Sequence, residues 1–243
     1  MRSAVNPKSE VIIFDDSDHS YMAGSWQLIS VTQFIKQFTP EFDAVAVAAK
    51  CAGKGKYAGL AADEILYKWQ VEGDRGRREG HNLHRFCECI LGGYPVPTPT
   101  NTRESKLFGT AVKAIEALQC QFIFMAAEII IFSTSMGIAG TVDLLMYDPK
   151  TNEILILDWK QNKVITPWNT WDNMLDPIDH LHACDTIKYG LQLSIYERIL
   201  KEYYPGRNFR KAFIHITPNG FYPYAVRRDY QPEIERMLAK CSC

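Results

Sequence analysis

The chain has 243 residues, 47% of them hydrophobic and 23% charged, which suits one substantial core and excludes a disordered polymer. Its formal net charge of −1 excludes a protein that holds nucleic acid by bulk charge, while leaving room for a locally basic groove. Seven cysteines show no secretory spacing and no apolar leader precedes them, so a reduced, intracellular compartment is expected; cytoplasm, nucleus and a viral replication site are not distinguished. The apolar run 122–132 contains Glu128 and is too short to span a bilayer, so no membrane association is expected.

In chain order, residues 1–25 mix Asp15, Asp16, Asp18 and His19 with the apolar Val11–Phe14 patch and read as an irregular arm or a short strand. Ser30 can cap a helix whose Val31, Phe34, Ile35 and Phe38 share one stripe. Further helices are predicted over 42–52, 59–70 and 80–91, the last ended by Gly92-Gly93, followed by a stiff Pro95–Pro99 connection and a helix over 105–119. Then the pattern changes to three apolar, β-like segments at 121–133, 138–147 and 153–160. The turn sequence 148–152 makes the second and third antiparallel neighbours. A polar, proline-broken stretch over 162–185 carries Trp168, Trp171 and Leu175 and reads as an ordered border rather than a tether. A long helix over 186–203, strands at 210–217 and 221–227 around Pro218-Asn219-Gly220, and a helix over 231–240 close the chain. This order predicts an α/β fold: a central mixed sheet flanked by helices, with a helical elaboration over 1–79 packed on a core over 80–243, and one compact domain overall.

The chemistry concentrates in the strands. Asp143 stands in Gly140-Thr141-Val142-Asp143, and Asp158 stands two residues before Lys160 in Ile156-Leu157-Asp158-Trp159-Lys160. Side chains alternate along a strand, so Asp158 and Lys160 share a face. Charges inside a hydrophobic β pattern are costly unless they are used, and two carboxylates beside a cation are a natural use for a divalent metal. An ion pair on a wet face would explain Lys160 but not Asp143. Glu128, embedded in Ala126–Ile131, is a poorly placed charge of the same kind. His84 and Glu88, four apart on one helix, share a face, as do Gln192 and Tyr196. Arg75, Arg77, Arg78 and Arg85 fall within eleven positions and form either a solvated helix face or a phosphate-contacting groove. Trp168, Trp171 and Tyr189 are available either for base stacking or for the core.

These residues resemble the PD-(D/E)xK nuclease superfamily, specifically its RecB-like exonuclease branch with viral, phage and mitochondrial-type relatives. Asp143 matches the first metal-binding aspartate, and Asp158-Trp159-Lys160 matches the (D/E)xK element. Gln192-Leu193-Ser194-Ile195-Tyr196 resembles the Q-x-x-x-Y helix motif, Gly80–His84 the upstream G-x-x-x-H element, and Ser30-Val31-Thr32 a serine/threonine element near the start of such proteins. The resemblance spans about residues 30–227; Val142 stands where proline gives the superfamily its name.

It implies a restriction-endonuclease-like core and phosphodiester hydrolysis by in-line water attack, with Mg²⁺ or Mn²⁺ (one or two ions) held by His84, Asp143, Asp158 and the Trp159 backbone carbonyl. Asp143, Asp158, Lys160 and Glu128 would be catalytic, and Glu88 would orient His84 from behind. DNA would be positioned by Gln192, Tyr196, Ser30, Thr32, Arg75, Arg77, Arg78 and Arg85. The expected activity is a DNA exonuclease of replication, recombination or repair that leaves 5′ phosphates. A structure-specific endonuclease and an inactive DNA-binding or assembly protein are the alternatives. The expected partner is DNA with a free end, with a replication or recombination protein alongside and the chain itself a monomer. No nucleotide cofactor is expected, since no glycine-rich phosphate loop is present. No iron–sulfur cluster is expected from Cys241 and Cys243, nor zinc from His81, His84, Cys87 and Cys89 on one helix. Asp179, His180, His182 and Asp185 form a lesser acid/histidine patch.

Overall fold

The computed structural model describes residues 1–15, 20–169 and 171–241. Asp16, Asp18 and His19, and the terminal Cys243, lie outside the described residues. The fold is α/β: one mixed sheet with helices on both faces.

The N-terminal arm is regular. β1 (Arg2–Val5), β2 (Val11–Asp15), β3 (Ser20–Ala23) and β4 (Trp26–Ser30) pair as an antiparallel meander. Ile12, Phe14, Tyr21 and Leu28, spaced by two within their strands, bury one face of it. Ser30 then caps α1 (Val31–Lys36): its Oγ accepts from Gln33 N at 3.1 Å, while Gln33 Oε1 accepts from Ser30 N at 3.2 Å. α2 (Ala44–Cys51) follows, and then α3 (Ala62–Gly92), a single helix of 31 residues.

That helix corrects the expectation of separate helices over 59–70 and 80–91, and the expected division after residue 79 falls inside it. Gly73, Gly76 and Gly80 lower its intrinsic propensity by about 1 kcal/mol each, but no proline breaks the ladder. One of them admits a neighbour: a Cβ on Gly80 would stand 3.3 Å from Gln161 Nε2, which donates to the Gly76 carbonyl at 2.6 Å. Gly93 ends the helix at φ 69°.

α4 (Thr102–Gln119) starts at Asn101, whose side chain accepts from Glu104 N. β5 (Ile123–Ser133), β6 (Ile138–Asp148) and β7 (Glu153–Lys160) are antiparallel neighbours, as expected for the last two. α5 (Asp185–Tyr203) crosses over to β8 (Asn208–Thr217), which lies parallel to β7; β9 (Gly220–Ala225) and α6 (Gln231–Cys241) finish the chain. Val142, Ile154 and Ile156 pack under α1, α5 and α6; Leu144, Met146, Leu155, Leu157 and Trp159 pack under α3 and α4.

One departure from regular pairing sets up everything that follows. β5 follows β6 along one edge, from Ile123↔Tyr147 to Ser133↔Ile138. On the other edge, β7 pairs with β6 only from Asp148↔Glu153 to Leu144↔Leu157 and then leaves, still joined to β8 as far as Lys160↔His215. The vacated edge of β6 is taken at Ile138 and Ala139 by β4, running parallel. The sheet therefore forks immediately beyond Leu144, at the register position of Asp143 and Asp158. Close packing fixes the fork: a Cβ on Gly140 would stand 2.6 Å from Tyr196 Cε1 and 3.2 Å from Val31 Cγ2. Gly140→Ala is expected to lower stability by about 1–3 kcal/mol through overpacking, read from the urea midpoint at constant m-value.

Candidate metal centre

The fork holds a cluster of polar groups that close packing would otherwise exclude. Asp143 is buried, with 7% of its surface exposed, and Asp158 retains 2%. Asp143 Oδ2 accepts the Trp159 backbone N–H at 2.8 Å, an N–H that the departing β7 no longer offers to β6. His84 reaches the same place from α3, its Nδ1 lying 3.4 Å from Asp143 Oδ2 and 3.5 Å from Glu128 Oε1. Its Nε2 lies 3.1 Å from the Trp159 carbonyl oxygen. Glu128 sits opposite Asp143, between the pairs Ala127↔Leu144 and Ile129↔Val142, with φ at 48°. A left-handed glutamate in a strand costs of order 1–3 kcal/mol, and here it aims the carboxylate at the cluster.

Asp158 and Lys160 lie on the α5 side of β7, with the parity of Ile154 and Ile156. Their ion pair measures 2.5 Å. Gln192, on α5, bridges the pair: its Nε2 donates to Asp158 Oδ1 at 3.1 Å, and its Oε1 accepts from Lys160 Nζ at 3.4 Å. The same Nε2 lies 3.1 Å from Tyr196 OH, so the i,i+4 pair expected on this helix acts as one unit. Beneath Lys160, the Tyr189 ring lies 4.4 Å from Nζ and its hydroxyl accepts from Asn162.

The charges compensate one another. Burial opposes the charge on His84, but the carboxylates of Asp143 and Glu128 outweigh it and raise the imidazole pKa well above its ordinary value. Burial likewise opposes ionisation of Asp143, but His84, Lys160 and the Trp159 N–H hold its pKa below the usual range. Burial, reinforced by the charge of Asp143, raises Asp158 to about 6 despite Lys160. Burial also raises Glu128, and against the pull of His84 the charges of Asp143 and, less, Glu88 add to this. Lys160 is held charged, against burial, by Asp158 and Asp143.

His84, Glu128 and Asp143 each offer a donor atom, and the three atoms lie within 4.8 Å of one another. One imidazole nitrogen and two carboxylate oxygens, in a cluster with surplus negative charge, fit a divalent cation. Asp158 is not one of these three donors: its Oδ2 is paired with Lys160, while the charge of Asp143 acts on it. The Trp159 carbonyl faces His84 Nε2, so the structure joins it to the cluster through the imidazole.

The other sequence-predicted residues fall into place as follows. Ser30 and Thr32 line a cleft of about 320 Å³ together with His84, Glu128 and Tyr196, although the Ser30 hydroxyl is committed to capping α1. Glu88 lies where its charge acts on Glu128, whereas both ring nitrogens of His84 face other groups. Arg75 pairs with Glu79, and Arg77 with Asp74, within α3; Arg78 and Arg85 are exposed on that helix. Tyr189 packs edge-on against Phe213 at 5.1 Å, whereas Trp168 and Trp171 are exposed. In the lesser acid/histidine patch, His180 faces Glu233 and Asp185 accepts from Thr166. Sequence reasoning missed Arg2, Tyr21 and Thr141, which also line the cleft, with Tyr21 OH 3.1 Å from Thr141 Oγ1. No local pattern marks them, because the contact joins residues 120 positions apart.

No family model and no curated protein sequence matches this chain. Among solved structures, one described as "Putative exonuclease" from Eubacterium rectale is similar at 13% identity and a TM-score of 0.37, over 88% of this chain and 77% of that one. A likeness that loose carries nothing about chemistry, and the residues of the cluster must speak for themselves. No helix among the described residues is long and apolar enough to cross a membrane.

Two measurements test the centre. Added Mn²⁺ is expected to raise the melting temperature, with about 2.7 kcal/mol of stabilisation at a hundredfold excess over Kd, and Asp143→Asn or Glu128→Gln to remove most of that gain. Because the pKa of His84 is raised, the metal-free protein carries a proton there at neutral pH, which binding must displace. Affinity should therefore rise with pH until that raised pKa is passed, by up to about tenfold per unit, with buffer-dependent heats in calorimetry.

Proposed function

We propose that this protein is a metal-dependent nuclease of the PD-(D/E)xK superfamily, in its RecB-like branch, that hydrolyses DNA from an end using Mg²⁺ or Mn²⁺. The observation that carries the reading is the convergence of His84, Glu128 and Asp143 at the sheet fork, beside the Asp158–Lys160 pair. A structural ion pair would need no third carboxylate, no strained glutamate and no imidazole. Charge arranged in this way, at the mouth of a cleft, suits a polyanionic substrate once a cation is added.

His84, Glu128 and Asp143 would hold the ion, with Asp158 and the Trp159 carbonyl completing its surroundings. When bound, a divalent ion neutralises the phosphate and lowers the pKa of an attacking water to near neutrality. Lys160, kept charged and directed by Asp158 and Gln192, orients that water and offsets charge on a non-bridging oxygen. Gln192 and Tyr196 fix the position of Asp158 and so the geometry of attack. Arg78 and Arg85, exposed on the helix that lines the cleft, contact the backbone, and Ser30 and Thr32 position the strand within it. Cleavage leaves a 5′ phosphate. The end requirement rests on the resemblance to the exonuclease branch.

The decisive experiment compares linear and covalently closed DNA with Mn²⁺. Linear DNA should be degraded to 5′-phosphorylated products, closed DNA spared, and both left intact under chelation. Asp143→Ala, Asp158→Ala and Lys160→Ala should each lower kcat by about a hundredfold or more while leaving DNA binding within a few-fold, as expected when a major electrostatic contact to the transition state is lost. Full activity of Asp143→Ala, or cleavage under exhaustive chelation, would falsify the reading.

A further inference from the structure

The cleft that holds His84 and Glu128 has one wall in the N-terminal meander, and that wall carries a cation. Arg2, Phe14 and Tyr21 stand opposite one another across β1, β2 and β3, in the pairs Arg2↔Phe14 and Phe14↔Tyr21, so their side chains share a face. They form a ladder. The guanidinium carbon of Arg2 lies 4.9 Å from the Phe14 ring centroid, and the Phe14 and Tyr21 rings stack at 4.6 Å. At the inner end Tyr21 OH lies 3.1 Å from Thr141 Oγ1. Thr141 stands two residues before Asp143 on β6, so the ladder is built onto the strand that supplies a carboxylate of the cluster.

What the cleft shows to water is polar. Its apolar and aromatic lining, Phe14, Tyr21, Val31 and Tyr196, is buried. Among the described residues that line it, the exposed ones are Arg2, Thr32 and His81, each with a hydrogen-bond donor to offer. Glu128 is the only carboxylate among them, and it belongs to the metal cluster.

We propose that Arg2 binds a phosphate of the DNA strand that is cut at the metal centre, distinct from the phosphate that is cut, and that Phe14 and Tyr21 hold it in place. This rests on the nuclease reading above. A cleft with an arginine on one wall and a cation-binding cluster on another suits a chain bearing more than one anionic group, as a nucleic-acid strand does. Its volume of about 320 Å³ is near the low end of small-molecule pockets, roughly 300–1,000 Å³, which suits a nucleotide of one strand. The ring contact and a phosphate contact are compatible, because the first uses the face of a guanidinium and the second its N–H edge. Arg2 is a binding residue in this assignment, and the aromatic pair acts only through it.

The test measures binding across a series of salt concentrations. Anisotropy would follow labelled linear DNA, single-stranded and duplex, with Ca²⁺ in place of Mn²⁺, for the full chain and its Arg2→Ala and Arg2→Lys variants. On whichever form binds more tightly, Arg2→Ala should flatten the dependence of log K on log salt by about 0.7 for a single strand or about 0.9 for a duplex, the share of one phosphate contact. Arg2→Lys keeps the charge and should keep the slope. With Mn²⁺, the loss in Arg2→Ala should appear in KM and not in kcat. The wild-type chain should lose the same slope when a 5′ phosphate is removed, which makes the source a terminal phosphate, or when one linkage near the cut becomes a neutral methylphosphonate, which makes it an internal one. Arg2→Ala should be indifferent to that same change. An unchanged slope in Arg2→Ala overturns the contact, as does a slope lost equally by Arg2→Lys. Indifference of the wild-type chain to both changes in the DNA also overturns it, even where Arg2→Ala fails to fold. The two readings fail separately: an Arg2-dependent slope in a wild-type protein that cuts no DNA removes the nuclease and keeps the contact, whereas cutting with slope and KM unchanged in Arg2→Ala does the reverse.

Discussion

The structure depends on the point where β7 parts from β6. Two antiparallel strands that continued in register would place Asp143 directly against Asp158, with both carboxylates in a dry sheet. The strands separate instead, and the Trp159 N–H that loses its strand partner is taken up by Asp143 Oδ2. One hydrogen bond thus does two things: it satisfies a backbone donor at the crotch of the fork and it orients a carboxylate toward His84. The parallel entry of β4 at Ile138 and Ala139 keeps the gap from closing.

Around the fork, each buried charge is tolerable only because of the next. His84 is charged because of Asp143 and Glu128, and Lys160 because of Asp158 and Asp143, while burial, with the charge of Asp143 added, raises the pKa of Asp158. Such a set is strained toward accepting a cation, since an added positive charge relieves repulsion between carboxylates that burial has already desolvated. Gly140 belongs to the same construction. Without a side chain it lets Tyr196 lie against β6, and Tyr196 steadies Gln192, which in turn holds both members of the Asp158–Lys160 pair.

The strand and helix content from residue 102 onward was legible because its signals are local. Period-two apolar runs, the turn at 148–152 and a capped helix each specify themselves over a few residues. The shared face of Asp158 and Lys160, and the pairing of Gln192 with Tyr196, follow from the same periodicities. The N-terminal third was less readable. Short strands such as Trp26–Ser30 carry too few residues for a period to emerge, and three glycines interrupt the pattern of what is one continuous helix. Of those glycines, Gly80 reflects the approach of Gln161, a contact with a residue more than eighty positions away.

The sequence by itself determined which residues could do chemistry: charges embedded in apolar strands are expensive, and their positions can be read directly. It also determined the α/β class, because hydrophobic periodicity is a property of neighbouring residues. Only the tertiary structure decided how those charges are grouped. It joins Glu128 and His84 with Asp143, sets Asp158 with Lys160 and Gln192, builds one wall of the cleft from the N-terminal meander, and leaves Trp168 and Trp171 in water while Tyr189 is packed. The reason is physical. Where strands separate, which side chain meets which is set by contacts between distant segments, and no local pattern encodes that choice.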